Sequence, residues 1–501
     1  MRKRVLAMAG CVCLALGGCH YQQPVEPTPT PSAAPSADPA IRQVFTLPVD
    51  PVGEWDPYGG GKSGNMTLLP LICESLYALD NAFAPQPVLA QSASASEDGL
   101  AWTVTLRSGV RFSDGESLSA ETVAQAVNAA RGEKSAYAKR LSGVRKVAAQ
   151  EDGTVQFQLS TPNSGFLSLL DFPIARVTET GVVGTGPYVR QEGRLVANAD
   201  WWQEKALPLA EIPLQEAGDA DTLVASFNAG AVSVAAADPT GADTLGYSGS
   251  CQSWEYPTST MVYLGFRCSK GPCRDGAFRR AVAQALDRDS LTHQALAGHG
   301  VAAALPAPPS SARYDQTAAA QLTYDVTAAG AALEEQGYKL AQDGVRYRGR
   351  DPLALTLLVS ADNASLEAMA NAAAEDLGTL GVQVSVRALP WEDYKKALSQ
   401  GDFDLYLAQS RMTGDLDPGP YFTAGSGVCY GGFSSKALTE ALLGARKSGD
   451  WSEFYAQWVQ DVPVAPICFK SAGLLTRWGQ VQGASPTQGN LFYGFENWKI
   501  T

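Results

Sequence analysis

Histidine and basic charge are both scarce in this chain, and each shortage narrows what it can do. Three histidines in 501 residues leave only His293 and His299 for a folded part, too few for a histidine-rich metal site, and the cysteine spacings match no zinc pattern. Lysine and arginine total 38 against 51 aspartates and glutamates, a net charge of −13. Three of the basic residues, Arg2, Lys3 and Arg4, stand at the very start; without them the balance is 35 against 51, or −16. With no basic cluster in the remainder, nucleic acid and anionic membrane surfaces are poor partners. After Leu16 no apolar run is long enough to span a membrane. A Gly-x-Ser-x-Gly elbow and a His-Glu-x-x-His helix are also missing, and no nucleophile stands beside an activating base. That argues against an enzyme and leaves a surface hydrolase as the weakest alternative. Gly59-Gly60-Gly61-Lys62-Ser63 imitates a phosphate loop, but Asp56 occupies the position of that loop's first glycine and no strand leads into it. No cofactor is expected.

What the chain does have starts with a leader. Arg2 to Arg4 are followed by an apolar stretch from Val5 to Leu16, closed by Gly17-Gly18-Cys19, the pattern of a secretory signal. Its end resembles a bacterial lipobox, which implies cleavage after residue 18, a mature chain starting at Cys19, and acyl chains holding it on the outer side of a membrane. Gln22 to Ala40 is a Pro/Ser/Ala/Thr run with almost no large apolar residue, so residues 19–40 read as a flexible stalk.

Six cysteines remain beyond Cys11, Cys13 and Cys19: Cys73, Cys251, Cys268, Cys273, Cys429 and Cys468. An even number outside the cell favours disulfides, with connectivity left open and metal binding as the rival. The chain from residue 41 onward is too long for one compact domain. Between residues 71 and 183 the signals are strands, turns and one helix. Trp102, Val104 and Leu106 alternate, as do Val155, Phe157 and Leu159 after the Glu151-Asp152-Gly153 turn. Ser119 is placed to cap a helix that carries Glu121 in its first turn and ends near Gly132. From about residue 351 the pattern changes to strand–helix–strand–helix–strand, which predicts a largely parallel sheet with ligand sites near the strand ends.

Several segments, in order, resemble the family 5 extracellular solute-binding proteins of ABC importers, the oligopeptide, dipeptide and nickel-type receptors. They are Ala90-Gln91-Ser92 with Ser96 to Thr103, Leu106 to Gly115 running into Leu118 to Val123, Gly184 to Tyr188, Asn198 to Trp202, Arg274 to Arg288, and Trp391 to Tyr394 with Gly401 to Leu405. The resemblance implies an α/β fold of the periplasmic-binding-protein-like type II. Two lobes meet at a hinge, with an extra small α+β subdomain: lobe I from residues 41–70, 184–260 and 471–501, the subdomain from 71–183, and lobe II from 261–470. It further implies a monomeric, lipid-anchored receptor that captures a peptide or similar small polar solute and passes it to permease and ATPase subunits. A sensory or adhesion lipoprotein on the same fold is the alternative.

Trp391 matches a tryptophan that stands over the ligand in peptide-binding relatives. The loop from Gln409 to Pro418 follows a buried strand, where Arg411 can fork onto a carboxylate and Asp415 can neutralise a peptide's amino terminus. Tyr430, in the glycine-rich Gly425 to Gly432 segment, and Trp55, in Glu54-Trp55-Asp56-Pro57-Tyr58, complete the expected ligand contacts. Ala277 stands where the family commonly has a second arginine, and Cys268 and Cys273 replace more usual polar and aromatic residues.

Overall fold

The computed structural model describes residues 44–59, 65–179, 181–240 and 246–501. The leader, Cys19, the stalk and residues 60–63 of the phosphate-like run lie outside the described residues. No helix among the described residues is long and apolar enough to cross a membrane.

The small subdomain is a four-stranded antiparallel sheet in the order Ala90–Ala95, Ala101–Leu106, Val155–Leu159, Val144–Ala149. Helix α1 (Ala120–Ala130) lies on it, burying Val123 and Val127. Ser119 caps α1 as its sequence position predicts, its side-chain oxygen accepting the Thr122 amide at 3.2 Å. Gly132 follows just past the last turn, its amide bonded to the Ala129 carbonyl.

A second core is assembled from chain segments far apart in sequence. Phe45, Leu47, Tyr188, Leu195 and Ile212 pack with Leu474, Phe492, Phe495 and Trp498 from the carboxyl-terminal segment. Here a four-stranded sheet runs Leu47–Val49, Glu211–Glu216, Arg194–Ala197, Tyr188–Gln191. Leu475 joins a satellite cluster with Phe227 and Val232 instead.

The third and largest core surrounds a seven-stranded sheet. Its strands are β1 (Val234–Ala237), β2 (Cys251–Phe266), β3 (Gly300–Ala302), β4 (Ala354–Ser360), β5 (Gln383–Leu389), β6 (Leu405–Arg411) and β7 (Val464–Arg477). They lie in the order β1-β7-β2-β6-β4-β5, with β3 also paired to β7. Only β5, β4 and β6 are mutually parallel, because only there do helices α2 (Ala364–Thr379) and α3 (Trp391–Gln400) supply crossovers. The remaining pairs are antiparallel, so the sheet is mixed where the sequence pattern suggested a largely parallel one. Strands β2 and β7 pair along almost their whole length and run from the second core into the third. A register shift between Pro257 and Met261 bends them midway, as bulges do.

One charge on this scaffold is held at a cost. Asp376 of α2 accepts the Asp287 amide at 2.9 Å, and burial, then the nearby Asp287 carboxylate, pushes its carboxyl up to about 6. A raised acid contributes stability below its unfolded value, near 3.9, and loses it as pH rises through about 6. Asp376→Asn, which keeps the accepting oxygen, is therefore expected to stabilise the fold at pH 7.5 by about 1 kcal/mol after allowance for solvent screening. At pH 3, below the unfolded value, the gain should all but vanish. Urea denaturation at the two pH values checks this, and an equal gain at both would refute it.

Candidate ligand cleft

The carboxyl end of β6 borders two neighbouring cavities that share Gln409 as a wall. The first, about 260 Å³, is lined by Asp238, Tyr256, Arg411, Lys470 and Gln488 among others. The second, about 330 Å³, is walled by Leu366, Trp391, Tyr394, Leu407 and Tyr430. The second falls at the low end of the range of small-molecule sites and the first just below it. Three of the expected residues, Trp391, Arg411 and Tyr430, thus come together although 39 positions of sequence separate the first from the last.

Trp391 opens α3 and remains 50% exposed. Its amide donates to Asp362 Oδ2 at 3.1 Å, and its ring stacks on Tyr394 with centroids 5.8 Å apart. Tyr430 is fixed edge-on against Tyr406 at 5.7 Å, with its hydroxyl donating to the Gly427 carbonyl at 2.7 Å. Gly431 has to be glycine, because a Cβ there would lie 1.7 Å from the Phe266 carbonyl oxygen. That close approach brings the 427–432 segment against β2 and sets Tyr430 at the wall.

In the first cavity, Lys470 Nζ sits 2.9 Å from Asp238 Oδ2. Burial alone would raise the Asp238 carboxyl, but bonds from Lys470 and Thr240 hold it below its ordinary value. Arg411 Nη2 donates to the main-chain oxygen of Gln488 at 3.3 Å. Desolvation by the cleft walls, then the nearby Arg140, lowers the Arg411 pKa. Gln488 in turn clamps the bend in β2, its Oε1 accepting from the Ser259 amide at 2.5 Å and its Nε2 donating to Ser259 Oγ at 3.0 Å. Near Arg411, where Asp171 pairs with Arg140, begins a third and larger cavity of about 680 Å³, lined by Glu74, Arg107, Tyr137, Asp171, Trp202 and Tyr493.

Two expected contacts lie elsewhere. Asp415 is 6% exposed and lines neither of these two cavities. Its Oδ2 accepts from Asn163 Nδ2 at 2.8 Å and its Oδ1 from Thr413 at 2.5 Å, while its main-chain oxygen takes the Arg313 guanidinium. It therefore joins the 261–470 region to the small subdomain, beside the Ser164 amide bonded to the Arg446 carbonyl at 2.7 Å and Phe83, which is buried in the core of the large sheet. Trp55 packs at the edge of the second core with the Arg190 guanidinium 4.7 Å over its ring. Tyr58 goes instead into the subdomain core.

The six cysteines stand as free thiols, where the even count suggested disulfides. Cys73 and Cys468 are buried in different cores and Cys251 borders the satellite cluster, so the fold itself keeps those three apart. Cys268 and Cys429 pack on the largest core, which also holds Cys273. Ser365 Oγ at the start of α2 donates to the Thr240 carbonyl at 2.8 Å.

Sequence reasoning passed over Asp238, Lys470 and Gln488, and read Gln409 to Arg411 as loop where they end strand β6. One signal was available: Lys470 is the single charge in the apolar run of β7 from Val464 to Leu475, and a lysine buried in a strand needs a partner.

Two lobes about paired long strands, with a charged cavity lined from both, have the layout of a two-lobed binding protein. The profile of bacterial extracellular solute-binding proteins, family 5 Middle, matches residues 84–432. The chain belongs to that extracytoplasmic family, the substrate-binding components of ABC importers of the peptide or nickel type, and its relatives are binding proteins rather than enzymes. It is 28% identical over 425 residues to Protein XP55 of Streptomyces lividans, covering 78% of this chain and 75% of that one. To the glutathione-binding protein GsiB of Salmonella typhimurium it is 25% identical over 356 residues, 67% of each chain. Among solved structures, HbpA2 from Haemophilus parasuis superposes with a TM-score of 0.73 at 19% identity, covering 91% of this chain and 99% of that one. The oligopeptide-binding protein AppA from Bacillus subtilis, in complex with a nonapeptide, gives 0.59 at 20% identity, covering 92% and 99%. The fold is accordingly that of type II periplasmic binding proteins.

Proposed function

We propose that the protein is a monomeric, lipid-anchored receptor that captures a short peptide or similar small polar solute in the Trp391–Arg411 cleft and delivers it to a permease. The carrying observation is an aromatic cavity and a charged one side by side, with Gln409 in the wall of both. Such a pair suits a solute with an apolar side chain and an ionised end. The bend in β2 and β7 is the natural hinge, and solute contacts from both sides would shift the population toward closure. Trp391, Arg411 and Tyr430 are the ligand contacts of this reading. Asp415 serves closure, and Trp55 serves lobe packing.

Native mass spectrometry of the full chain, purified in mild detergent without denaturation, tests the proposal. A retained mass that dissociates on activation and fragments as a peptide is the expected result. A chain that retains nothing and binds no member of a di- to pentapeptide library would refute peptide capture. Anchoring through Cys19 has its own check. Cys19→Ala is expected to shift the protein from the membrane to the soluble fraction or to leave uncleaved precursor, and a lipid-modified mature form of that variant would overturn it.

A further inference from the structure

Among the described residues that line the second cavity, Asp362 alone is charged. Its Oδ2 takes the Trp391 amide at 3.1 Å. Its Oδ1 accepts no hydrogen bond, and no lysine or arginine pairs with it, among the described residues. Lys395, whose ammonium lies 5.4 Å from the Trp391 ring, does not line the cavity and is paired with Glu392 at 2.8 Å. The cavity therefore holds one uncompensated negative charge.

The walls around that carboxylate are aromatic: Trp391, Tyr263, Tyr394 and Tyr430. All three tyrosine hydroxyls are spent on main-chain carbonyls, Tyr263 on Val428 at 2.9 Å, Tyr394 on Leu407 at 2.8 Å and Tyr430 on Gly427 at 2.7 Å. With those protons engaged, the tyrosines offer a solute their rings, and the side-chain donors left in the lining, on Ser360, Asn363 and Gln409, are neutral. An anion entering here would meet Asp362 and no positive charge. A neutral alkyl group would cover the free Oδ1 without replacing its water. A cation gains from the carboxylate and from the rings together.

We infer that the second cavity takes an aliphatic stem ending in an ammonium or guanidinium, its head at Asp362 beside the Trp391 and Tyr430 rings and its stem along Leu366 and Leu407. Long cationic side chains divide in this way, an apolar stem carrying a charged tip. The inference rests on the solute-receptor reading but not on the solute being a peptide. A lysine side chain and a simple alkylamine present the same chemistry.

The test titrates the full chain with two probe sets by calorimetry. One is hexylammonium against hexan-1-ol. The other is the alanine tripeptides that carry lysine at each position in turn, against their norleucine counterparts, which keep the stem and lose the ammonium. In whichever set binds, the cation should be favoured by about tenfold, the combined weight of an aromatic wall and an exposed ion pair. Asp362→Asn, which can still accept the Trp391 amide, should cut that preference to about threefold while binding of the neutral probe stays within about twofold. The unmoved neutral probe separates this result from a folding defect. Asp362→Glu, which keeps the charge, should retain part of the preference. Hexylammonium favoured with no tripeptide bound would uphold the inference while removing the peptide reading. Tripeptides that bind with norleucine equal to lysine at every position would leave peptide capture standing and overturn the inference. A full preference in Asp362→Asn, or no cation bound in either set, would overturn it as well.

Discussion

Glu74→Ala is expected to loosen the junction of the small subdomain with lobe I by about 4 kcal/mol. Four donors converge on this one carboxyl, which is 8% exposed. Trp202 Nε1 and Thr185 Oγ1 reach Oε2 at 2.6 and 2.8 Å. Gln203 Nε2 and Trp201 Nε1 reach Oε1 at 2.7 and 3.3 Å. Removing the acceptor strands these donors at the wall of the largest cavity described above, and each bond to a carboxylate contributes about 1.5–3 kcal/mol. Glu74→Gln should be intermediate, because its amide nitrogen presents a donor to donors while Thr185 can reverse its hydroxyl. Burial raises the Glu74 pKa despite these bonds. Its contribution is thus greatest below the unfolded value near 4.3 and declines as pH rises through the folded one. Glu74→Gln should flatten that slope. Guanidinium denaturation followed by tryptophan fluorescence, which reports on Trp201 and Trp202, reads both effects. A loss under about 1 kcal/mol for the alanine variant would show that solvent satisfies the stranded donors.

How much of this was legible follows the range of the interactions. The Ser119 cap, α1 and the parallel β4-β5-β6 unit depend on neighbours within a few turns of chain, and the sequence pattern carries them. Trp391, Arg411 and Tyr430 were legible because each sits at the start of a helix, at the end of a strand or in a glycine-rich turn, places where this fold leaves side chains facing a cleft. Asp415 was not, since its role depends on Asn163, 252 residues away. From sequence a buried acid beside a cleft loop cannot be told from a ligand-binding one. The Lys470–Asp238 pair spans 232 residues and was hidden for the same reason. The mixed sheet also escaped a local reading: β2 and β7 are separated by the whole of lobe II, and nothing short-range reports their antiparallel pairing.

Trp391→Ala should weaken binding of a retained peptide by about ten- to a hundredfold while leaving the empty protein's stability within about 0.5 kcal/mol. The two halves of that expectation have separate causes. In the empty protein the indole is half exposed and its main contacts are Tyr394 and the Lys395 ammonium 5.4 Å from the ring. The bond to Asp362 uses the backbone amide, which alanine retains, and alanine suits the first turn of α3. Little native packing is therefore lost. On binding, the exposed ring face is the largest apolar surface available at the cavity. Covering about 100 Å² of it is worth about 2.5 kcal/mol, of which ordering costs leave roughly half or more. Trp391→Phe should keep most of the affinity, since it preserves a flat apolar wall. Titration calorimetry with the recovered peptide separates the outcomes, and an affinity unchanged in Trp391→Ala would take Trp391 out of the site. A preference for a free carboxylate end over its amide, expected at Arg411 under the proposed function, is the discriminating second readout. If it persists in Trp391→Ala at reduced overall affinity, the ring supplies binding area and Arg411 supplies selection, as the division between the two cavities implies. If the preference falls with the affinity, the indole also orients the carboxylate onto the guanidinium, and the two cavities act as one site.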